Sequence, residues 1–228
     1  MLIFLDTEFT DYTDPELISI GMVGEDARHT LYLEVKDFDR SKCNSFVERE
    51  VLPHLGKTAG SEIMRAELQA SLKAWFATLP RSLRMACDSL HDKALLHKAL
   101  GGVWPQNVHT WPDLSPLINI GVFHHAVVGY HNDDRPWHHA LYDAHAHRIG
   151  WLAWMDKKND QEARKLAHKQ FKEQKSDDEM DPMWVDKRVR QALSRARVQS
   201  GERTPESMFF IPSEIARKLK IIDKPDEF

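Results

Sequence analysis

The first nine residues constrain the fold more than any other stretch of the chain. Five apolar residues, Met1 to Leu5, lead directly into Asp6-Thr7-Glu8-Phe9. An uninterrupted apolar run of this kind predicts a strand that is buried on both faces. Because residues i and i+2 of a strand point to the same side, we expect Asp6 and Glu8 to direct two carboxylates toward one spot. The alternative is an ordinary strand end with solvated acids.

Two adjacent carboxylates repel each other unless a cation lies between them, and clusters of oxygen ligands suit Mg²⁺ or Mn²⁺. Such an ion needs further ligands from elsewhere in the chain. Asp92 lies where a predicted strand gives way to a helix, and Asp143 lies in the first turns of a later helix. His138 would lie about 140° around that helix from Asp143, so we expect it on the preceding loop, near the metal.

The order of the predicted elements defines the fold class. Strands are predicted over residues 1–9, 17–23, 30–35, 83–87 and 108–111, and helices over 61–79, through 94–100 and from 138 onward. This order predicts an α/β fold with a mixed five-stranded sheet flanked by helices. Residues 36–60 and 112–137 are predicted to be irregular. We expect one domain over residues 1–155 and a charged helical extension over 156–228, with helices near 183–199 and 212–220.

Composition excludes some classes of protein. No apolar run approaches the roughly 20 residues of a membrane helix, no signal peptide is evident, and two cysteines make a disulfide framework improbable. We therefore expect a cytoplasmic protein without a membrane partner. Residues 1–150 contain 14 Lys and Arg against 20 Asp and Glu, whereas residues 151–228 contain 17 against 15. Basic side chains at 187–197 could bind backbone phosphates, or could simply be solvated.

Three motifs in this order resemble those of the DEDDh superfamily of exonucleases. They are Asp6-x-Glu8 after an apolar strand, Asp92 before a helix with Leu95-Leu96, and His138-x-Ala140-x-x-Asp143-Ala144. Further stretches are similar to a small bacterial and phage group of 3′–5′ exoribonucleases: Asp6-Thr7-Glu8-Phe9, Glu16 to Gly21, and Val51-Leu52-Pro53. The resemblance covers residues 1–155.

The resemblance implies a ribonuclease-H-like fold and a nuclease that uses two Mg²⁺ or Mn²⁺ ions. Such an enzyme removes nucleoside monophosphates from the 3′ end of single-stranded RNA, or of DNA. By the same resemblance, Asp6, Glu8 and Asp143 bind the first ion, Asp6 bridges to a second ion supported by Asp92, and His138 accepts the proton of the attacking water. A homodimer is one option for the assembly.

Several assignments have competitors. Asp88 competes with Asp92, although only Asp92 directly precedes the helix, and His139 competes with His138. Phe9 could stack on the terminal base or pack in the core, while Thr7 would offer only its backbone N–H to the substrate. The remaining aromatic candidates, for which core packing is favoured, are Trp111 and Trp137. Five further histidines receive no role and leave a zinc site open, namely His124, His125, His131, His145 and His147.

Two other classes of function compete with a nuclease. A phosphatase of the haloacid dehalogenase kind also begins with an acidic first strand, but its second acid is Asp rather than Glu and its site includes a Lys. A nucleic-acid-binding module without turnover is the other alternative, and it would not need four carboxylates and a histidine. The sequence therefore favours the exonuclease.

Overall fold

The described part of the molecule is an α/β structure built on one mixed sheet. The computed structural model describes residues 1–174, with side chains through residue 168. Six strands form the sheet: β1 (Leu2–Phe9), β2 (Leu17–Gly24), β3 (Thr30–Val35), β4 (Glu62–Ile63), β5 (Leu83–Ala86) and β6 (Val108–Thr110). Their order is β4-β3-β2-β1-β5-β6. β2 pairs antiparallel with β1 and β3, whereas β1, β5 and β6 are parallel, as are β3 and β4.

The prediction of five strands was wrong by one edge strand. β4 pairs with Glu34 and Val35 of β3 and contains only two residues. A strand this short has no alternating pattern that sequence could reveal. The helix that was predicted to begin at Ser61 begins at Arg65 instead, because β4 occupies Glu62 and Ile63.

Five helices lie in the described residues: α1 (Arg65–Thr78), α2 (Leu90–Ala99), α3 (Ser115–Ile118), α4 (Gly121–Tyr130) and α5 (Ala140–Gln174). Short 3₁₀ turns at Arg40–Lys42 and Leu52–His54 and a π turn at Val47–Val51 occupy the segment predicted to be irregular. The prediction of a loop over 112–137 was wrong, because α3 and α4 lie there. Phe123 and Val127, one turn apart on α4, are both buried.

β1 is buried on both faces of the sheet, as predicted. Ile3 and Leu5 belong to a core that includes residues of α1 and α2, among them Leu72 and Leu96. Leu2 and Phe4 belong to a second core on the opposite face, with Ala144 and Trp151 of α5. Alternation along the strand places Asp6 and Glu8 on the same face as Leu2 and Phe4, which is the face that α5 covers.

Gly21 of β2 determines how closely α5 approaches the sheet. Gly21 is the cross-strand partner of Asp6, and a Cβ built on it would lie 2.3 Å from the carbonyl carbon and oxygen of Ala140. No larger residue fits without displacing the helix backbone, because real side chains do not approach so closely. The missing side chain therefore lets the first turn of α5, with Asp143, lie beside the acid pair of β1.

The chain divides into two units, Met1–Met155 and Asp156–Phe228. Of the second unit only the part of α5 that ends at Gln174 is described. The predicted helices near 183–199 and 212–220, and the basic residues at 187–197, lie outside the described residues. Among the helices of residues 1–174, none is both long and apolar enough to cross a membrane.

Candidate active site

A cleft of about 330 Å³ contains every predicted catalytic and metal-binding residue. β1 contributes Asp6 and Glu8, α2 contributes Asp92, α5 contributes Asp143, and the loop before α5 contributes His138. Asp88, the competitor of Asp92, also lines the cleft. Carboxylates from distant parts of the chain thus converge on one space, which Asp11 also lines. The five of the candidate metal site are Asp6, Glu8, Asp88, Asp92 and Asp143.

The electrostatics of Asp6 show how close these acids are to one another. Burial raises the pKa of Asp6 well above its ordinary value, and the charges of Asp92, Asp143, Glu8 and Asp88 raise it further. Burial likewise raises the pKa of Glu8, followed by the charges of Asp143 and Asp92. Such mutual repulsion disfavours the ionised cluster in the absence of a cation and favours the binding of one.

Asp92 is the most deeply buried of the five acids, with 2% of its surface exposed. The hydroxyl and the backbone N–H of Thr7 donate to its Oδ1 at 2.6 and 3.2 Å, while its buried Oδ2 has no hydrogen-bond partner among the described residues. Burial raises the pKa of Asp92 to about 7 against the opposing effect of the Thr7 hydrogen bonds. An orphaned carboxylate oxygen of this kind suits a bound cation or water.

The expectation that Thr7 offers its backbone N–H to a substrate was wrong. Thr7 is 5% exposed, and its N–H is occupied by Asp92. Its side chain lies on the face of β1 opposite Asp6 and Glu8, where α2 supplies the carboxylate. Thr7 therefore positions Asp92.

Asp143 is fixed by the backbone at the start of α5. Its Oδ2 accepts a hydrogen bond from the N–H of His139 at 3.1 Å, and its own N–H donates to the His139 carbonyl at 3.0 Å. Its Oδ1 lies 3.3 Å from Nε2 of His131, a histidine to which the sequence assigned no role. Burial raises the pKa of Asp143 to about 7.

His138 and His139 lie in different environments, although they are adjacent. His138 has a left-handed backbone with φ of 60°, lines the cleft, and packs edge-on against Phe46 with ring centroids 4.9 Å apart. Ligand atoms of Glu8, His138 and Asp143 all lie within 4.8 Å of one another. His139 is instead buried, stacked on Tyr32 with ring centroids 4.4 Å apart. Of the two, only His138 can reach the carboxylates of the cleft.

His147 also belongs to the cleft, and sequence reasoning missed it. Its ligand atom lies within 4.8 Å of those of Asp6 and Asp88. The signal was available, because residues four apart on a helix share a face and His147 follows Asp143 by four. The sequence contains thirteen histidines, so the spacing of His147 from Asp143 did not distinguish it from the others.

Three aromatic residues that line the cleft, Phe9, Tyr12 and Trp137, pack against neighbouring rings. Phe9 stacks on His91 with ring centroids 5.4 Å apart and an interplanar angle of 18°, and Tyr12 packs edge-on against both rings. Trp137 is 44% exposed and stacks on His131, so the prediction that it packs in the core was wrong. The proline before it and the polar turn at 131–135 keep it outside both cores.

Trp111 lies elsewhere. It packs against Trp104 with ring centroids 4.9 Å apart and lies beneath the ammonium group of Lys93. It is partly buried against the larger core, in agreement with the core-packing prediction.

The cleft is lined by acidic side chains, and among the described residues that line it there is no Lys or Arg. A phosphate could enter such an acidic space only with metal ions to neutralise the combined charge. The donor set fits divalent ions, since two groups of two carboxylates and one imidazole have their ligand atoms within 4.8 Å: Glu8, His138 and Asp143, and Asp6, Asp88 and His147.

Comparison with models of known protein families gives no match, and no curated protein matches the chain significantly. The interpretation of the cleft therefore rests on its own geometry and on the motifs of the sequence.

Proposed function

We propose that this protein is a metal-dependent 3′–5′ exonuclease that hydrolyses phosphodiester bonds at the 3′ end of single-stranded nucleic acid. The observation that carries this proposal is the convergence of Asp6, Glu8, Asp92 and Asp143 on one cleft, with His138 beside them. These residues come from three elements and a loop that are far apart in the sequence. The mutual repulsion of these partly buried acids favours the binding of a cation.

The ribonuclease-H-like fold is part of the proposal. It is supported by the mixed sheet, in which β1 lies between antiparallel β2 and parallel β5, and by helices on both faces. It is supported also by the position of the site, at the carboxyl end of the central strand β1, where α2 and α5 begin.

Metal binding follows from the donor set. Asp6, Glu8 and Asp143 would hold one ion, and Asp6 with Asp92 or Asp88 would hold another. Two divalent ions at such a site neutralise phosphate charge, activate a water molecule and stabilise the leaving oxygen. No Lys or Arg among the described residues lines the cleft, so no basic side chain there could take over the role of the ions. The absence of a Lys there also disfavours a phosphatase of the haloacid dehalogenase kind.

His138 would accept the proton of the attacking water on a ring nitrogen. Burial lowers the pKa of His138 below its ordinary value of 6.5, so the imidazole is neutral and able to accept a proton at neutral pH. The backbone before α5 holds it next to Glu8 and Asp143.

Phe9 and Tyr12, which line the cleft, would bind the terminal nucleotide. Phe9 and His91 are stacked on each other, and the exposed ring of Tyr12 lies at the entrance. Aromatic rings bind unpaired bases with little dependence on sequence, which suits a single-stranded end. The preference for RNA rests on the family resemblance of the motifs, since the described residues include no evident reader of a 2′-hydroxyl.

Progressive shortening of a labelled strand tests the proposal. Single-stranded RNA labelled at its 5′ end should lose nucleotides from its 3′ end in the presence of Mg²⁺ or Mn²⁺. EDTA should stop the reaction, and Asp6→Ala should abolish it. Activity that survives both treatments, or the release of phosphate from a simple aryl phosphate instead, would reject the nuclease.

A further inference from the structure

Beside Asp88, the cleft contains His147, a residue to which the proposed function gives no role. With Asp6 they make a group whose three ligand atoms lie within 4.8 Å of one another. Nε2 of His147 lies 3.5 Å from Oδ2 of Asp88, and its buried Nδ1 has no hydrogen-bond partner among the described residues. A buried ring nitrogen without a hydrogen bond is costly, because it has lost water and gained no partner in return.

His147 is held in this place by α5 itself. The residue is 8% exposed and lies one turn after Asp143, so the two side chains share the face of α5 that meets the sheet. Its neighbours Ala146 and Gly150 are small and buried, which lets the helix lie close to the aromatic ring of Phe123. His147 therefore has little freedom to turn toward solvent, and it borders the cleft.

Asp92 and Asp88 both line the cleft near the start of α2, but they differ in position. One oxygen of Asp92 accepts both hydrogen bonds from Thr7, and Asp92 is not part of the group that Asp6 forms with His147. The side chain of Asp88 is 26% exposed, and its Oδ2 lies 3.5 Å from Nε2 of His147. Of the two acids, Asp88 is thus the one placed to bind an ion together with Asp6 and His147.

We propose that Asp6, Asp88 and His147 bind the second ion of the cleft, and that the imidazole makes this position select a first-row transition ion over Mg²⁺. Magnesium prefers oxygen ligands and retains its waters, whereas an imidazole nitrogen favours transition ions. The role of this ion in hydrolysis rests on the proposed function, but its binding requires no substrate. Asp92 then acts as a positioning residue that places negative charge behind the site.

Mn²⁺ is a suitable probe, because a nitrogen bound to this paramagnetic ion modulates its pulsed EPR signal. His138 is replaced by Gln throughout, so that the other three-residue group contributes no nitrogen. The His138→Gln protein should show nitrogen modulation of bound Mn²⁺. Adding His147→Gln should remove it and weaken Mn²⁺ binding by about tenfold or more, since even outer partners of metal ligands contribute that much. Binding of Mg²⁺ should change by less than about threefold, because Mg²⁺ gains little from nitrogen.

His145→Gln is the matched control, since it removes a histidine of α5 that does not line the cleft. It should leave the nitrogen modulation and both affinities unchanged. Thermal unfolding verifies that the buried substitution at position 147 leaves the protein folded. Should it not fold, Asp88→Asn in the His138→Gln protein tests the same site and should reduce the nitrogen modulation of bound Mn²⁺, because the ion would no longer be held beside His147.

Nitrogen modulation that persists without His147, or equal weakening of Mg²⁺ and Mn²⁺ binding, would overturn the proposed site. Its failure is distinct from failure of the proposed function. RNA hydrolysis by the unaltered protein, when its His138→Gln variant shows no nitrogen modulation, rejects the site alone. Nitrogen modulation in that variant, when the unaltered protein does not hydrolyse RNA, supports the site and rejects the nuclease.

Discussion

Asp92 and Asp143 give the metal-free protein an unusual dependence of stability on pH. Burial raises the pKa of each in the folded protein to about 7, from an ordinary value of 3.8. The folded state therefore binds more protons than the unfolded chain above pH 4, and stability falls as pH rises. Buried histidines, whose pKa values are lowered by desolvation, as that of His139 is to about 4, act in the opposite direction below pH 6.5. Their effect fades over about one pH unit above 6.5, so the contribution of a carboxylate is best isolated by its substitution.

In EDTA, the free energy of unfolding of the unaltered protein minus that of Asp92→Asn should fall by about 1 kcal/mol between pH 6.5 and 8. This difference isolates the carboxylate, because both proteins contain the same histidines. Chemical denaturation at several pH values measures it, and saturating Mn²⁺ should remove it. A difference that is flat or rises over this range would show that Asp92 is not buried among the other acids as described.

His138 permits a second prediction at the scale of a residue. Its half-buried ring lies beside Glu8 and Asp143, and it is the histidine positioned to move a proton. His138→Gln should lower kcat by about 10² to 10⁴ while changing RNA affinity little, since general-base catalysis contributes that much. Single-turnover kinetics with a separate binding measurement distinguish the two effects.

His139→Phe is the matched control, because the ring stacked on Tyr32 remains aromatic and lies outside the cleft. It should leave kcat near that of the unaltered protein. Equal losses of kcat and of binding in His138→Gln would indicate a structural histidine instead.

The contact between β2 and α5 is the element-scale feature on which the site depends. Gly21→Ala places a Cβ 2.3 Å from the Ala140 carbonyl, so the start of α5 must shift away from β1. We expect a loss of about 1–3 kcal/mol of stability, as for overpacked cores, together with weaker Mn²⁺ binding through the displacement of Asp143. Denaturation and metal titration measure the two effects.

Gly129→Ala supplies the control for that substitution. Gly129 lies in α4 with open space around it, and alanine is the better helix former by about 0.5–1 kcal/mol. The control should therefore be neutral or stabilising and should leave metal binding unchanged. A Gly21→Ala protein that behaves in the same way would show that α5 does not depend on this close approach.

The elements that sequence predicted well are those with a strong local pattern. β1 could be recognised because its apolar run is uninterrupted, and α1 because its apolar residues recur at helical spacing up to Pro80. β4 was missed because two residues have no period. α4 was missed because its glycines and paired histidines at 124–125 resemble a loop, while its stability comes from the burial of Phe123 and Val127.

The part of the site that lies on a single strand could be predicted from the sequence. Strand alternation alone puts Asp6 and Glu8 on one side of β1. The roles of Thr7, Asp88 and His147 depend instead on how α2 and α5 lie against β1, and no local pattern encodes that arrangement. The hydrogen bonds from Thr7 to Asp92 join residues 85 positions apart in the chain. Only long-range contacts of this kind reveal which of two neighbouring candidates, such as Asp88 and Asp92, has which role.

At the scale of the whole molecule, the acidic cleft raises the question of how a polyanion is held. Residues 1–150 have six more acidic than basic residues, whereas residues 151–228 have two more basic than acidic ones. The described residues of the cleft supply no cationic side chain. If the protein binds nucleic acid as proposed, we expect backbone phosphates to contact basic side chains outside the cleft, and the basic residues at 187–197 are the candidates from the sequence.

Replacing Lys187, Arg188 and Arg190 by Gln tests this division of labour. Measurements in a Glu8→Gln background avoid hydrolysis of the RNA. If these side chains bind phosphates, log K should depend less steeply on log salt, by about 0.7 for each contact that is lost. Replacing exposed Lys73, Arg81 and Arg84 by Gln changes the net charge equally and should leave the slope unchanged. Equal slopes in all three proteins would mean that the extension does not bind phosphates, because a lost contact necessarily reduces the number of counterions released.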